Sequence, residues 1–212
     1  PPPPPPPPPP FSSTRRHTRS CILSRGLGDV YKRQANDIRT GKISTDAPEF
    51  EEAEKEIKEK LEFFVNNKGT HSVDYYHKKL GLVMWNKVGM ARNEKGLKEA
   101  IKEIQEIRED FWKNVKVPGN LNEMNTELEK AGRVADFLEL GELFAKDALN
   151  RNESCGGHFR EEYVTEDGEA LRDDKNYAYV AAWEYTGKPS EAILHKEELE
   201  FKDIELKTRS YK

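Results

Sequence analysis

The side chains best suited to chemistry lie in one short stretch, residues 151–160. Cys155 and His158 stand three positions apart with Glu153 nearby, a grouping that could supply a thiol nucleophile with its base, or ligands for a metal. One cysteine and one histidine make half a zinc site, and the order matches no nucleophile motif. We therefore predict no catalytic and no metal-binding residue in this chain. The other histidines after residue 34 stand in unrelated segments: His71, His77 and His195.

The most specific feature of this stretch is the pair Arg151 and Arg160, which flank a glycine-containing loop. Two interpretations stay open: direct contact with a ligand, or a structural loop whose glycines permit tight turns. In the second, the arginines pair across a domain contact with carboxylates such as Glu161, Asp173 and Asp174. The chain has no Gly-x-Gly-x-x-Gly after a strand and no Walker loop, so we predict no cofactor-binding residue. The candidate contact residues are Arg151, Glu153, Ser154, Gly156, Gly157, His158 and Arg160.

Helical periodicity dominates the chain between residues 47 and 150, which we predict to form a helical domain. The first helix covers about 47–66, the second is capped by Ser72 and ends near Gly89, and the third is opened by Asn93 and ends before Pro118. The fourth covers about 122–149. The predicted fold class is mainly α, a three- to four-helix bundle followed by a small irregular α+β, antiparallel C-terminal domain. The apolar positions of the first helix are Phe50, Ala53, Ile57, Leu61, Phe64 and Val65.

The fourth helix differs because its apolar positions fill two faces, and such a helix needs partners on both sides. The other three helices can cover one side. The second side implies a further domain or subunit. The first face holds Leu128, Ala131, Ala135 and Leu138, and the second holds Val134, Phe137, Phe144 and Ala148.

Residues 151–212 form the predicted C-terminal domain. The stretch 151–174 is rich in charge and glycine, as a long irregular loop would be. Alternating aromatic and small residues from Tyr177 to Tyr185 predict a strand, and residues 192–194 and 199–206 predict short return strands.

The charge distribution separates residues 1–34 from the rest. The net charge of −4 divides into +5 for residues 1–34 and −9 for residues 35–212, so the larger part should not bind nucleic acid. No apolar run approaches the roughly 18–20 residues of a membrane span. Cys155 has no cysteine partner after residue 34, which suits a reducing compartment.

Residues 1–34 begin with ten prolines and cannot build a core. A proline-rich ligand, a basic nucleic-acid arm and an organelle transit peptide are the natural interpretations, and a secretory signal is excluded by the proline block. Residues 12–34, however, resemble a translated sequencing adapter. We expect residues 1–34 to be disordered and non-native, and residues 35–46 to be a linker.

Residues 151–160 read RNESCGGHFR, and with Asp173, Asp174 and residues 179–183 they resemble the C-terminal signature of the succinate dehydrogenase/fumarate reductase flavoprotein subunit. Residues 84–93 and 97–100 resemble the helical domain of that family, and their sequence is most similar to its Bacteroidetes-type members. The resemblance covers residues 35–212. One departure is Cys155, where many members have arginine, so a contact through that arginine is in doubt here.

The resemblance implies a parent enzyme that interconverts succinate and fumarate with FAD. It also implies electron transfer to an iron–sulfur subunit and a membrane cytochrome b subunit, and a place on the cytoplasmic face of the inner membrane through that complex. The flavin and substrate residues of the family lie in FAD-binding and capping domains that end before Ala35. We therefore expect a fragment without FAD and without activity of its own, and no direct membrane span. The alternatives are an L-aspartate oxidase fragment and a stand-alone helical interaction module.

Overall fold

The computed structural model describes residues 44–204 and residue 207. The predictions for residues 1–34 and for linker residues 35–43 lie outside this part of the chain, as do those for residues 205, 206 and 208–212. Among the described residues, no helix combines the length and the apolar character needed to cross a membrane.

Five helices and six short strands follow one another within residues 44–204, so the predicted mainly α fold with a small antiparallel C-terminal region is confirmed. In chain order they are α1 (Pro48–Asn66), β1 (His71–Ser72), α2 (Val73–Val83), a π-helical turn (Met84–Val88), β2 (Ala91–Arg92), α3 (Glu94–Asn114), β3 (Val115–Lys116), α4 (Thr126–Asn150), β4 (Phe159–Arg160), α5 (Asp174–Tyr177), β5 (Tyr179–Glu184), a 3₁₀ turn (Pro189–Glu191) and β6 (Ile193–Glu198).

Side-chain caps set the starts of the three long inner helices. Ser72 accepts a hydrogen bond from the Tyr75 amide at 3.2 Å, and Asn93 accepts one from the Gly96 amide at 2.8 Å, as the sequence predicted. The fourth helix begins at Thr126 rather than at 122, because Asn125 provides its cap.

The second helix does not run unchanged to Gly89. Its α-helical part ends at Val83, and a wider π-helical turn completes the segment. In that turn the Lys87 ammonium lies 3.0 Å from Glu99 and 2.6 Å from Glu103 of α3. A Cβ atom at Gly89 would lie 2.6 Å from the Trp85 carbonyl oxygen, so glycine suits this end.

The core lies between α2, α3 and α4. The first predicted face of α4 is buried there, and Tyr76 of α2 donates from its hydroxyl to Asp110 of α3 at 2.9 Å. Burial and this carboxylate raise the pKa of Tyr76 well above its ordinary value. The fully buried side chains include Tyr76, Leu97, Ile104, Phe111, Ala131 and Leu138.

The chain divides at Glu54 into two units, and the packing described here concerns residues from Lys55 onward. The predicted apolar stripe of α1 is largely exposed in this part: Ile57 and Leu61 face outward, and Phe64 is buried. In the last turn of α1 the helix packs on α3, where the Phe64 ring stacks on Trp112 with 5.3 Å between centroids.

Two pairs of parallel strands bracket α3. Strand β1 pairs with β3, which follows α3, and β2, which precedes α3, pairs with β4. Gly69 allows the first approach, because a Cβ atom there would lie 2.1 Å from the Asn114 carbonyl oxygen.

Strands β5 and β6 form the predicted antiparallel hairpin, with two corrections. Tyr177 lies in α5 and not in the strand, because Asp173 caps that short helix by accepting from the Asn176 amide at 3.2 Å. The return is one strand, Ile193–Glu198. Residues 199–204 form no strand, since the pairing ends after Leu199 donates to the Ala178 carbonyl at 3.0 Å.

Candidate functional site

Residues 151–162, called the signature loop from here on, fold back on themselves around Ser154. The buried Ser154 hydroxyl accepts from the Arg160 amide at 2.8 Å and donates to the Arg160 carbonyl at 3.1 Å. Its own amide donates to the Leu171 carbonyl at 2.8 Å. A serine fits here because one small hydroxyl can satisfy both backbone groups of a residue on the facing strand.

The tip of the signature loop is a tight turn closed by Cys155 and His158. The Cys155 amide donates to the His158 carbonyl at 2.8 Å and the His158 amide donates back at 3.0 Å. Gly156 has a φ of +58°, which explains a glycine at this position. The two chemically reactive residues are thus joined through their backbones, and no nucleophile–base contact between their side chains is present in this described loop.

Arg160 connects the signature loop to the end of α4. Its guanidinium is buried, donates to the Ala148 carbonyl at 3.0 Å, and lies 3.1 Å from the Glu162 carboxylate. A cation at a helix C-terminus satisfies carbonyls that have no partner within the helix. The arginine therefore stabilises the position of the loop on α4.

The second arginine, Arg151, pairs with Glu153 at 2.7 Å, and the other carboxylate oxygen of Glu153 accepts from the Asp173 amide at 2.9 Å. The sequence interpretation named Glu161, Asp173 and Asp174 as partners of the two arginines. That assignment is wrong for the described contacts, because the nearer carboxylates Glu153 and Glu162 satisfy both guanidinium groups.

Glu161 and Glu162 attach the signature loop to the start of α3. The Glu161 amide donates to the Arg92 carbonyl at 2.9 Å, and its carboxylate accepts from Asn93 at 2.7 Å. Glu162 accepts from the Glu94 amide. Desolvation raises the pKa of Glu162, but the hydrogen bonds from Glu94 and Arg160 outweigh it and hold that pKa below its usual range.

A cavity of about 570 Å³ opens between the signature loop, β5 and the last turns of α4. Sequence analysis missed two of its charged residues, Arg92 and Asp147. Asn93 marked a helix start, but no local signal connects Arg92 to a loop almost seventy residues away. This basic cavity is lined by Arg92, Phe144, Asp147, Ala148, Arg151, Cys155, Gly157, His158, Tyr179, Val180 and Ala181.

The electrostatics of the basic cavity act on His158. Its Nε2 lies 3.0 Å from the Arg151 carbonyl oxygen. Burial lowers the pKa of His158, and the nearby guanidinium groups of Arg92, Arg160 and Arg151 lower it further, against the opposing effect of that hydrogen bond. These effects favour the neutral form of the ring.

An apolar groove of about 250 Å³ adjoins the basic cavity, and Phe144 lines both. Phe137 and Phe144 of the second predicted face of α4 are exposed at 42% and 54%, whereas Val134 and Ala148 of that face are buried. The exposed face is thus narrower than predicted. The apolar groove is lined by His77, Leu80, Gly81, Met84, Phe137, Leu140, Gly141 and Phe144.

The described part of the chain offers no cluster of metal ligands, and its three long inner helices start with side-chain caps. No group of three or more His, Cys, Asp and Glu within residues 44–204 is placed to hold a metal ion. The starts of α2, α3 and α4 are capped by their own side chains, and Glu162 adds a carboxylate at the start of α3. Each cap takes up one of the amides that a helix start can otherwise offer to an anion.

Comparison with known proteins shows which family the chain resembles. Residues 77–211 match the family model described as the fumarate reductase flavoprotein C-terminus. The fumarate reductase flavoprotein subunit of Helicobacter pylori is 33% identical over 143 residues, which are 68% of this chain and 20% of that protein. The L-aspartate oxidase of Vibrio cholerae is 31% identical over 87 residues, 40% of this chain and 14% of that protein, so this alternative is weaker.

Solved structures agree on the fold. A structure of Escherichia coli quinol fumarate reductase superimposes with a TM-score of 0.65 at 21% identity, over 77% of this chain and 27% of that chain. The chain spans about a fifth of the length of the curated relatives it matches. These comparisons test the family and leave the Bacteroidetes-type branch a prediction. The chain belongs to the fumarate reductase/succinate dehydrogenase flavoprotein family, an oxidoreductase family, and contains its C-terminal domain.

Proposed function

We propose that this chain is the helical and C-terminal part of a flavoprotein subunit that interconverts succinate and fumarate. In this proposal FAD is held by the FAD-binding and capping domains of the same subunit, which the likeness to the flavoprotein family supports. The subunit passes electrons to an iron–sulfur subunit and, through it, to a membrane cytochrome b subunit. It works at the cytoplasmic face of the inner membrane without a span of its own.

The observation that carries this proposal is the exposed apolar groove. Leu140 is 58% exposed and Phe144 54% exposed, and both project from a helix whose opposite face is core. Exposed apolar side chains grouped on one face are typical of a surface that another domain or subunit covers.

The signature loop contributes to the same domain contact in this proposal. Its buried members, Glu153, Ser154 and Arg160, hold the loop in shape, while the turn at Gly156 and Gly157 is exposed. Arg151 and His158 line the basic cavity beside that turn. The rigid interior therefore presents the tip of the loop to the covering domain.

The first experiment is to sequence the genomic DNA upstream of codon 35. We expect an open frame that continues into an FAD-binding domain. A start codon and promoter at that point would contradict the proposal and favour a stand-alone helical module.

The second experiment uses the complete subunit from that gene. We expect Leu140→Asp and Phe144→Asp to reduce FAD retention and assembly, since each places a charge at the covered surface. Arg151→Gln and His158→Gln test the signature loop in the same assay.

Met124→Asp is the matched control, because Met124 is 95% exposed and lies outside the apolar groove. Equal FAD retention in Met124→Asp, Leu140→Asp and Phe144→Asp would contradict docking at the groove. Unchanged FAD retention and assembly in both Arg151→Gln and His158→Gln would show that the signature loop does not take part in the domain contact.

A further inference from the structure

Arg92 is a largely buried arginine that forms no ion pair with the described residues, although the Asp147 carboxylate is close enough to act on its charge. Arg92 is 8% exposed, and its Nε donates to the Gly89 carbonyl at 3.0 Å. Within residues 44–204 its two terminal nitrogens have no hydrogen-bond acceptor, and the guanidinium has no ion-pair partner. These nitrogens are not sealed from solvent, because no buried side-chain nitrogen or oxygen of the described residues lacks a hydrogen-bond partner. They open onto the basic cavity, where an anion can reach them.

The neighbouring arginines, unlike Arg92, form ion pairs. Arg151 is paired with Glu153 and Arg160 with Glu162, so the charges of both are compensated inside the protein. Arg92 lines the basic cavity, and its guanidinium carbon lies 6.0 Å from the Phe144 ring centroid. The terminal guanidinium nitrogens of Arg92 are therefore donors that a ligand in this cavity can reach.

The other charged groups of the cavity limit what can bind. Asp147 also lines it, has no ion-pair partner among the described residues, and accepts from the Trp183 indole at 2.8 Å. This carboxylate disfavours a doubly charged phosphate more than a singly charged carboxylate. The walls formed by Phe144, Tyr179 and Ala181 suit a short hydrocarbon chain attached to the acid.

We propose that the basic cavity is a carboxylate-binding site in which Arg92 holds the acid through its terminal nitrogens. A guanidinium and a carboxylate match in a planar, two-bonded geometry, which gives the pair both strength and orientation. The acid is either a small free organic acid or an Asp or Glu side chain of the protein surface that covers the adjoining groove. Both sources present the same group to Arg92.

The test is a titration of the isotope-labelled 212-residue chain with sodium propionate, followed by NMR of the Arg92 Nε–H and the His158 ring. We expect a saturable shift of the Arg92 signal and a rise in the pKa of His158, because the bound anion offsets the guanidinium field. A dissociation constant below about 1 mM assigns the site to a free acid. Weaker saturable binding assigns the site to a carboxylate on the covering protein surface. Such a carboxylate is held next to Arg92 at a high effective concentration, so it does not need a high intrinsic affinity.

Two variants bracket the result. Arg92→Gln should weaken propionate binding by about tenfold or more, since the charge-assisted bonds are lost. Asp147→Asn should strengthen it by about threefold or more, because it removes the opposing charge while the amide oxygen still accepts from Trp183. The gain in Asp147→Asn keeps the proposal testable even if Arg92→Gln does not fold.

Arg133→Gln is the control, because the Arg133 side chain is 68% exposed and pairs with Glu129 away from the basic cavity. It should bind propionate as the unmodified chain does. Inorganic phosphate should bind more weakly than propionate. The proposal is overturned if the unmodified chain and Asp147→Asn show no saturable shift, if phosphate binds more tightly, or if folded Arg92→Gln binds as tightly as the unmodified chain.

Discussion

Arg160 donates a hydrogen bond to the Ala148 carbonyl at 3.0 Å, so a residue of the signature loop caps the C-terminus of α4. The same guanidinium lies 3.1 Å from Glu162, which in turn accepts from the amide at the start of α3. One buried side chain thus connects the ends of two long helices.

Replacing Arg160 with methionine should lower the free energy of unfolding by about 3 kcal/mol, because it removes charge-assisted bonds to α4 and to Glu162. Urea unfolding followed by circular dichroism measures the change. The matched control is Arg133→Met, which removes an exposed arginine of α4 and should cost about 0.5 kcal/mol or less. Equal losses in the two variants would contradict the capping role.

The buried ion pair between Arg108 and Glu142 gives a second prediction. Glu142 is 1% exposed and also accepts from Gln105 at 2.7 Å. Arg108→Met leaves the carboxylate buried without its cation and should cost about 3–5 kcal/mol. Adding Glu142→Leu should recover part of this loss, because an apolar side chain needs no partner. A double variant no more stable than Arg108→Met in urea would show that the pair is not the cause.

The turn at the tip of the signature loop gives a third prediction. Gly156→Ala should cost about 1 kcal/mol, because alanine is strained at a φ of +58°. Gly157→Ala is the matched control, since Gly157 has no positive φ and a Cβ atom there would meet nothing within 4 Å. The Gly157→Ala variant should be as stable as the unmodified chain or slightly more stable. Equal midpoints of thermal unfolding for the two variants would contradict the requirement for glycine at position 156.

The pH dependence of stability should contain a contribution from His158. Burial and the surrounding guanidinium groups hold its pKa below the ordinary value of 6.5, so below pH 6.5 the unfolded chain binds more protons than the folded one. This contribution is therefore present in full above pH 6.5 and is lost as the pH falls toward the folded pKa.

His158→Gln lacks the titrating ring but keeps a donor for the Arg151 carbonyl. Between about pH 7.5 and about pH 5.5 it should lose less stability than the unmodified chain, as measured by urea unfolding at each pH. Parallel pH profiles for the two proteins would contradict the prediction.

Features of the fold that depend on neighbours in the sequence were predictable. Ser72 and Asn93 cap helices because a serine or asparagine side chain reaches an amide three residues on. The two-faced pattern of α4 likewise depends on spacing within one helix. It predicted the exposed Phe137 and Phe144, although it did not show that Val134 and Ala148 are covered.

Contacts between distant residues could not be predicted in the same way. Nothing in the sequence around Glu142 shows that it is buried, because its partners Arg108 and Gln105 lie on another helix. Arg92 carried no signal because the loop that encloses it begins at residue 151. For α1, the regular spacing of Ile57 and Leu61 indicated a buried face, but spacing alone cannot say whether another surface is there to cover it.

The two parallel strand pairs around α3 have a consequence for local unfolding. β1 pairs with the residues that follow α3, and the signature loop pairs through β4 with the residues that precede it, so neither end of α3 can fray without releasing a distant segment. Amide hydrogens in the middle of α3 should therefore exchange with solvent only when the helices and the loop open together. Cutting the chain after residue 150 would remove one of these two restraints, and the slow exchange of α3 would be lost with it.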